Sequence, residues 1–381
     1  PDADVLLGAM AASLTLFVGV VLLQYAGLNP FNLFPEGLSV RTNYEFQGTI
    51  GNIDMVSGYL CLVVPFLLCG WVRSVKPNAY AAVAAFLGVL LECLMEVQSG
   101  LLVMGCLFVW ALFQAACSAA YRRRALGAAS LILLAFALRQ FVALPWLDGV
   151  EEISFRVGTL GLPLLAASLV LAALACVPPA FLAGRACKPV TAVLVVIILL
   201  AVVLGILTVV DLPDSWGGIY EVSEVLHGRA QDSFGSYRLG VWRNTLAMSG
   251  EHLWLGAGPD TFYLTLADRL AAANITYPET FDSAHNEYLT ILSNNGLPAL
   301  LVYVALLAYA LIGGIRWARY SRLAACAALA VACYAVQAVF SFSICIVSPM
   351  FWGMLGLLCV SAAATRRFRA QLDEDDDTRL D

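Results

Sequence analysis

Apolar residues occur along this chain in runs rather than stripes. A helix needs about 17 to 25 apolar residues to cross a bilayer. That length picks out 5–28, 55–72, 79–97, 101–120, 126–147, 157–182, 190–210, 297–314, 323–347 and 349–363 as ten predicted spans. One long polar segment, about 77 residues from Asp211 to Glu287, interrupts them. Inside it the pattern changes to amphipathic spacing. After Ser236 as N-cap, residues 238–248 set Leu239, Trp242 and Leu246 three and four apart, with Arg238 and Trp242 on one face. The Gly256-Ala257-Gly258-Pro259 turn precedes a second helix, capped by Asp260 and running to Ala273, with Phe262, Leu266 and Leu270 on one stripe. Residues 274–281 read as irregular. Asp282 or Ser283 then caps a third helix beginning at His285, which Asn294-Asn295-Gly296 and Pro298 should break.

Composition settles the class. Hydrophobic residues make up 61% and charged residues 13%, against about a quarter charged in soluble domains. The expectation is an all-α polytopic membrane protein of about ten transmembrane helices with one long helical extracytoplasmic loop. It divides into helices one to seven over 1–210, a loop with the candidate active site over 211–286, a helix start and helices eight to ten over 287–365, and an acidic cytoplasmic tail over 366–381. Part of the net charge of −6 comes from acids at 373–377, which read as a disordered tail. Nothing supports nucleic-acid binding. The eleven cysteines are scattered through the apolar runs and read as small packing residues. Pro1 stands where a methionine is expected, which predicts residues ahead of it, including at least one more span.

The basic residues orient the chain. Arg73 and Lys76, then Arg122 to Arg124, Arg185 and Lys188, Arg316, Arg319 and Arg322, and Arg366, Arg367 and Arg369 fall in alternate connections. Cytoplasmic loops carry the excess of Lys and Arg, so both ends of the chain are expected in the cytoplasm and 211–286 outside.

The polar segment also holds all three histidines. His285, in the first turn of its predicted helix, would feel the positive dipole end and stay neutral, as a general base requires; the bland alternative is a loop histidine hydrogen-bonded for structure. Asn286 and Glu287 stand ready to orient the ring or a hydroxyl. Arg238 offers a planar fork suited to phosphate oxygens, against the alternative of an arginine packed on Trp242 and paired with an acid. Arg243, Arg41 and Arg156 are weaker versions of the same reading. His227 and His252 have no second ligand at metal spacing, and no metal is expected. Within the spans, Glu92, Glu96 and Arg139 either pair with one another or line a path.

Three pieces in order, Gly235-Ser-Tyr-Arg238-Leu-Gly-Val-Trp242, His252-Leu-Trp-Leu-Gly256-Ala-Gly258-Pro-Asp-Thr-Phe262 and His285-Asn286-Glu-Tyr288-Leu289 with Gly296 beyond, resemble the signature loop of the O-antigen ligase and polymerase-like membrane proteins. Arg41 followed by Gly48-Thr-Ile-Gly51-Asn52 is similar to that family's early outer loop. The resemblance runs from about Arg41 to Gly314. It implies an inverting, metal-independent glycosyltransferase of the bacterial cytoplasmic membrane without cofactor. Such an enzyme moves a glycan from an undecaprenyl-diphosphate carrier to a glycan, lipid or protein acceptor in cell-surface polysaccharide assembly. By the same resemblance His285 matches the base and Arg238 the diphosphate-binding arginine, while Arg41 and Arg156 have no secure counterpart. One departure stands out: many members carry Ser-Arg where this chain has Ser99-Gly100. Ligase and polymerase remain undecided. The alternative class is a transporter or flippase of lipid-linked glycans using Glu92, Glu96 and Arg139.

Overall fold

The computed structural model describes residues 3–76, 78–178, 187–214 and 217–377. Each apolar run carries one helix. In chain order they are α1 (Ala3–Tyr25), α2 (Ile53–Arg73), α3 (Ala79–Met95), α4 (Gln98–Cys117) and α5 (Arg122–Arg139), then the short α6 (Pro145–Asp148), α7 (Gly161–Cys176) and α8 (Pro189–Leu207). The polar segment supplies α9 (Gly218–Leu226), α10 (Arg238–Ser249) and α11 (Phe262–Ala273), followed by α12 (Glu287–Trp317), α13 (Arg322–Gln337) and α14 (Ser348–Asp377). Local chemistry starts several of them. Asn52 Oδ1 accepts the Asp54 N–H at 2.8 Å and Asn78 Oδ1 the Tyr80 N–H at 2.9 Å, each satisfying one orphan donor of a first turn. Pro189 opens α8, where its missing N–H costs nothing.

Among the described residues six helices, α1, α2, α4, α8, α12 and α14 to Gln371, are long and apolar enough to cross a membrane; α3, α7 and α13 are shorter apolar helices. The ten expected spans therefore appear as ten helices, of which six meet the span length and hydropathy alone. Part of the run 157–182 lies outside the described residues, as does Arg185. The tail read as disordered is helical through Asp377: residues 362–377 contain neither Gly nor Pro and are rich in strong helix formers.

The described residues form two compact units. The first draws on residues up to Ala186, on Leu307–Gln337 and on Ile344 onward. α2 is its axis, apolar and buried all round, and packs on α1, α3, α4, α5, α13 and α14. Basic residues gather at one end of this unit. Arg73 donates to the Ala318 carbonyl at 2.7 Å, Arg322 to Ser74 Oγ at 3.0 Å, Arg124 to the Trp71 carbonyl at 3.2 Å and Arg123 to the Ala175 carbonyl at 2.8 Å. Arg319 and Arg369 flank the Tyr320 ring.

The opposite end of the unit holds two short hairpins. β1 (Phe46–Gln47) pairs antiparallel with β2 (Gly51–Asn52), and β3 (Val142–Ala143) with β4 (Ser154–Phe155). Arg139 reaches Glu96 at 2.6 Å and Asp148 at 3.2 Å, and Arg156 reaches Asp148 at 2.5 Å. Two arginines thus meet two carboxylates. Glu96 joins the expected pairing but Glu92 does not. Glu92 is fully buried, with its carboxyl against Ser57 and the first turn of α4, where a Cβ on Gly100 would collide with both. Any side chain in place of Gly100 would therefore require the Glu92 carboxyl and the Ser57 hydroxyl to shift.

The second unit comprises Cys187–Leu306 and Ala338–Ser343. α8 leads into it, and apart from Ala192 and the half-buried Val196 and Leu207 its side chains are exposed. An apolar helix exposed all round has lipid as its natural solvent.

Candidate active site

The second unit contains His285, Asn286, Arg238 and Arg243; Arg41 and Arg156 belong to the first. Its core is made by α10, α11 and the irregular segment before α12. Val241 and Met248 pack with Phe262, Leu266, Phe281 and Ala284, flanked by Tyr237, Leu270, Tyr277 and Leu289. The stripe Phe262, Leu266, Leu270 is the face predicted for α11. The expected caps, however, are different. Asp260 and Ser236 both lie in the left-handed region, and α11 and α10 begin after Thr261 and Tyr237 with no side-chain cap. Three successive left-handed residues, Gly235, Ser236 and Tyr237, aim the start of α10, so Arg238 is its first residue.

Trp242, one turn into α10, joins the two halves of the site. Its Nε1 donates to the Ala284 carbonyl at 2.8 Å, and its ring packs on Phe340 with centroids 5.9 Å apart. The next residue is His285. The turn bearing Arg238 and the segment bearing His285 are therefore tied by a hydrogen bond and by a shared core. His285 is half-buried and stands edge-on between Phe281, at 6.0 Å, and Phe342, at 5.0 Å. Its φ is +46°, a conformation costly for a side chain that is not Gly and one that clusters at functional sites.

His285 does not open a helix. α12 begins at Glu287, and Asn286 is its cap: Asn286 Oδ1 accepts the Leu289 N–H at 3.0 Å. Asp282 and Ser283 do not serve. The dipole argument for a neutral His285 thus loses its expected geometry, since the ring sits two residues ahead of the first turn. Glu287 is likewise occupied, buried, with Tyr303 donating to its carboxylate at 2.7 Å and its own N–H donating to the Ala338 carbonyl at 2.8 Å.

Sequence reasoning missed why the His252–Phe262 and Asn294–Gly296 pieces go together. α12 breaks at Gly296, with φ +83° and ψ 174°, as Gly and Pro predicted. The break strands backbone groups, and the Gly256 loop takes them up. Ala257 N–H donates to the Ser293 carbonyl at 2.8 Å, Gly258 N–H to the Asn294 carbonyl at 3.1 Å, and Leu297 N–H to the Leu253 carbonyl at 2.7 Å. A Cβ on Gly256 would enter the Asn294 backbone, and one on Gly296 the Trp254 backbone. Irregular backbone near a membrane is tolerated when protein satisfies it, and this loop does so.

The remaining charges are mostly spoken for. Arg243 pairs with Asp232. Arg229 lies 2.5 Å from both Asp211 and Glu224, with His227 Nε2 3.9 Å from Asp211. The hydrogen bonds and charge of Arg229 hold both carboxyls below the usual carboxylate range. Asp211, Glu224 and His227 cluster closely enough to ligate a cation, a grouping their wide sequence spacing hid. The Arg229 guanidinium already supplies positive charge there.

Such a chain is an integral membrane protein of apolar helices, carrying a polar helical unit in which a histidine and an arginine are set around a shared core. Residues 153–304 match the family model described as O-antigen ligase, and this places that segment, the polar unit and the helices flanking it, in the O-antigen ligase family. No curated protein matches the chain. The match bears out the resemblance carried by Arg238, Trp242 and His285; Arg41 and the Gly48–Asn52 piece lie outside it. Broadly, the family means a glycosyltransferase role of ligase or polymerase type in a membrane, with lipid-linked glycans as substrates.

Proposed function

We propose that this protein transfers a glycan from an undecaprenyl-diphosphate carrier to an acceptor hydroxyl, with inversion and without a metal, on the outer side of the bacterial cytoplasmic membrane. The observation that carries the reading is the Trp242 Nε1 bond to the Ala284 carbonyl, which seats the Arg238 turn beside His285. In a single displacement the acceptor oxygen forms its bond to the anomeric carbon on the face opposite the diphosphate. The carbon–oxygen bond to the diphosphate breaks, and its electron pair leaves with the carrier. His285 accepts the acceptor proton. Arg238, at the head of α10, stabilises the departing charge. Arg238 is favoured because it opens α10 one turn ahead of Trp242, whose indole reaches the residue before His285; Arg243 pairs with Asp232 and Arg156 with Asp148. Asn286 positions the acceptor through the half of its amide not used in capping α12.

The experiment is glycan analysis of cells carrying wild-type, His285→Ala or Arg238→Ala protein at equal membrane abundance. Carrier-linked glycan is expected to accumulate in both mutants while finished product disappears. An accumulated single repeat would indicate a polymerase and a full chain a ligase. Normal product in both mutants would overturn the assignment.

A further inference from the structure

The first unit has a cavity of about 340 Å³ at the end remote from its basic clusters, between the end of α1, the loop through Arg41 and the hairpin segment after α5. Its volume is at the small end of the roughly 300–1,000 Å³ of ligand sites, room for a ring or two rather than a chain. The walls are fixed from behind. Gln24 exchanges hydrogen bonds with the backbone of Gly48, at 2.7 and 3.4 Å, and Tyr25 donates to Gln47 Oε1 at 2.8 Å. Trp146 packs on Tyr25 with centroids 4.8 Å apart and belongs to α6, whose last residue, Asp148, is clamped by Arg139 and Arg156. Trp146 Nε1 is buried and has no hydrogen-bond partner among the described residues. A site built in advance of its ligand loses little on binding.

The lining chemistry names the class of ligand. One cation and one anion border the cavity, Arg41 and Glu152, both exposed. The Arg41 guanidinium makes no hydrogen bond or ion pair with described residues, and the neighbouring Arg139 and Arg156 are offset by Glu96 and Asp148. A diphosphate would call for a surplus of positive charge, and there is none. An aromatic pair beside a guanidinium, a carboxylate and the Ser39 hydroxyl instead suits a neutral, hydroxyl-rich ring with one apolar face.

We propose that this cavity is a saccharide subsite, binding one sugar ring of the glycan through Tyr25 and Trp146, with Arg41 and Glu152 on its hydroxyls, and that Arg41 serves here rather than at the diphosphate. The proposal rests on the glycan reading above, but its readout does not require transfer.

Saturation-transfer NMR on the full-length protein in nanodiscs tests it, using methyl glycosides of a hexose, an N-acetylhexosamine and a 6-deoxyhexose, with inorganic diphosphate as competitor. At least one glycoside is expected to receive saturation, to bind about tenfold or more weakly to Trp146→Ala, and to bind unchanged to His285→Ala. The exposed variants Arg41→Ala and Glu152→Gln, which leave the packing intact, should weaken binding as well. No glycoside signal in wild-type, a signal indifferent to all three cavity variants, or displacement by diphosphate would overturn the proposal. A His285→Ala protein that binds sugar yet still makes normal product would sink the catalytic assignment while leaving the subsite standing.

Discussion

At the scale of single residues, the site depends on backbone positions that admit no side chain. Gly256, at φ +70°, and Gly296, at φ +83°, each face the other segment's backbone with no room for a Cβ. Left-handed backbone alone costs an alanine about 1 kcal/mol, and the collision adds to it. Gly256→Ala and Gly296→Ala should each lower the melting temperature of the purified protein and reduce transfer. Gly205→Ala in α8, where nothing lies within 4 Å, should leave both unchanged; equal melting for all three would contradict the packing described. Trp242→Phe keeps the ring and deletes the bond to Ala284. A net loss of about 1 kcal/mol is expected, with transfer reduced more than abundance, because the registry of Arg238 against His285 loosens.

Among the helices, α12 is the element on which the polar unit turns. Its cap is Asn286, and loss of such a cap costs about 1 kcal/mol. Asn286→Ala should therefore lower thermal stability. Asn286→Asp, which retains the accepting oxygen, should restore the stability. If Asn286 also positions the acceptor, transfer should remain low in the aspartate variant despite the recovered stability; full recovery of both would reduce Asn286 to a cap. The helix can break at Gly296 only because the Gly256 loop takes over the carbonyls of Ser293 and Asn294, so the two motifs are halves of one structure.

Over the whole molecule, charge balance sets the response to acid and to metal removal. Burial pushes the Asp148 carboxyl up, but the Leu144 N–H and the charges of Arg139 and Arg156 outweigh it and hold the group below the ordinary range. Asp211 and Glu224 are held down by Arg229. For a carboxyl whose folded pKa is depressed, the stabilisation is present above the unfolded value and disappears as pH falls through the folded one. Stability should therefore decline as pH drops below about 4, near the unfolded values of Asp and Glu. Arg229→Ala should flatten part of that decline, which melting curves between neutral and acid pH would show; an unchanged slope would rule out the Arg229 contribution. Chelation of divalent ions should leave transfer intact, since Arg229 already offsets the acids grouped with His227. Loss of transfer in EDTA, restored by a divalent cation, would instead assign that cluster to a metal.

The run lengths of apolar residues alone determined where the apolar helices lie, six of them long enough to span among the described residues, because a helix buried in lipid or in other helices must be apolar over its whole length. Composition likewise determined the membrane class, and the spacing of Phe262, Leu266 and Leu270 the buried face of α11. The motif residues Arg238, Trp242 and His285 were legible as a set, and so was the break at Gly296. Caps were not: α10 begins at Arg238 as expected, but without Ser236 as its cap, and α11 and α12 begin after Thr261 and Asn286 rather than on Asp260 and Asp282, since a cap forms only where the incoming backbone permits it. Nor could spacing reveal that Asp148 holds Arg139 and Arg156, that Gly100 makes way for Glu92, or that Asp211, Glu224 and His227 converge around Arg229. Those contacts join residues from separate turns and helices, and only the packing of the chain decides which side chains meet.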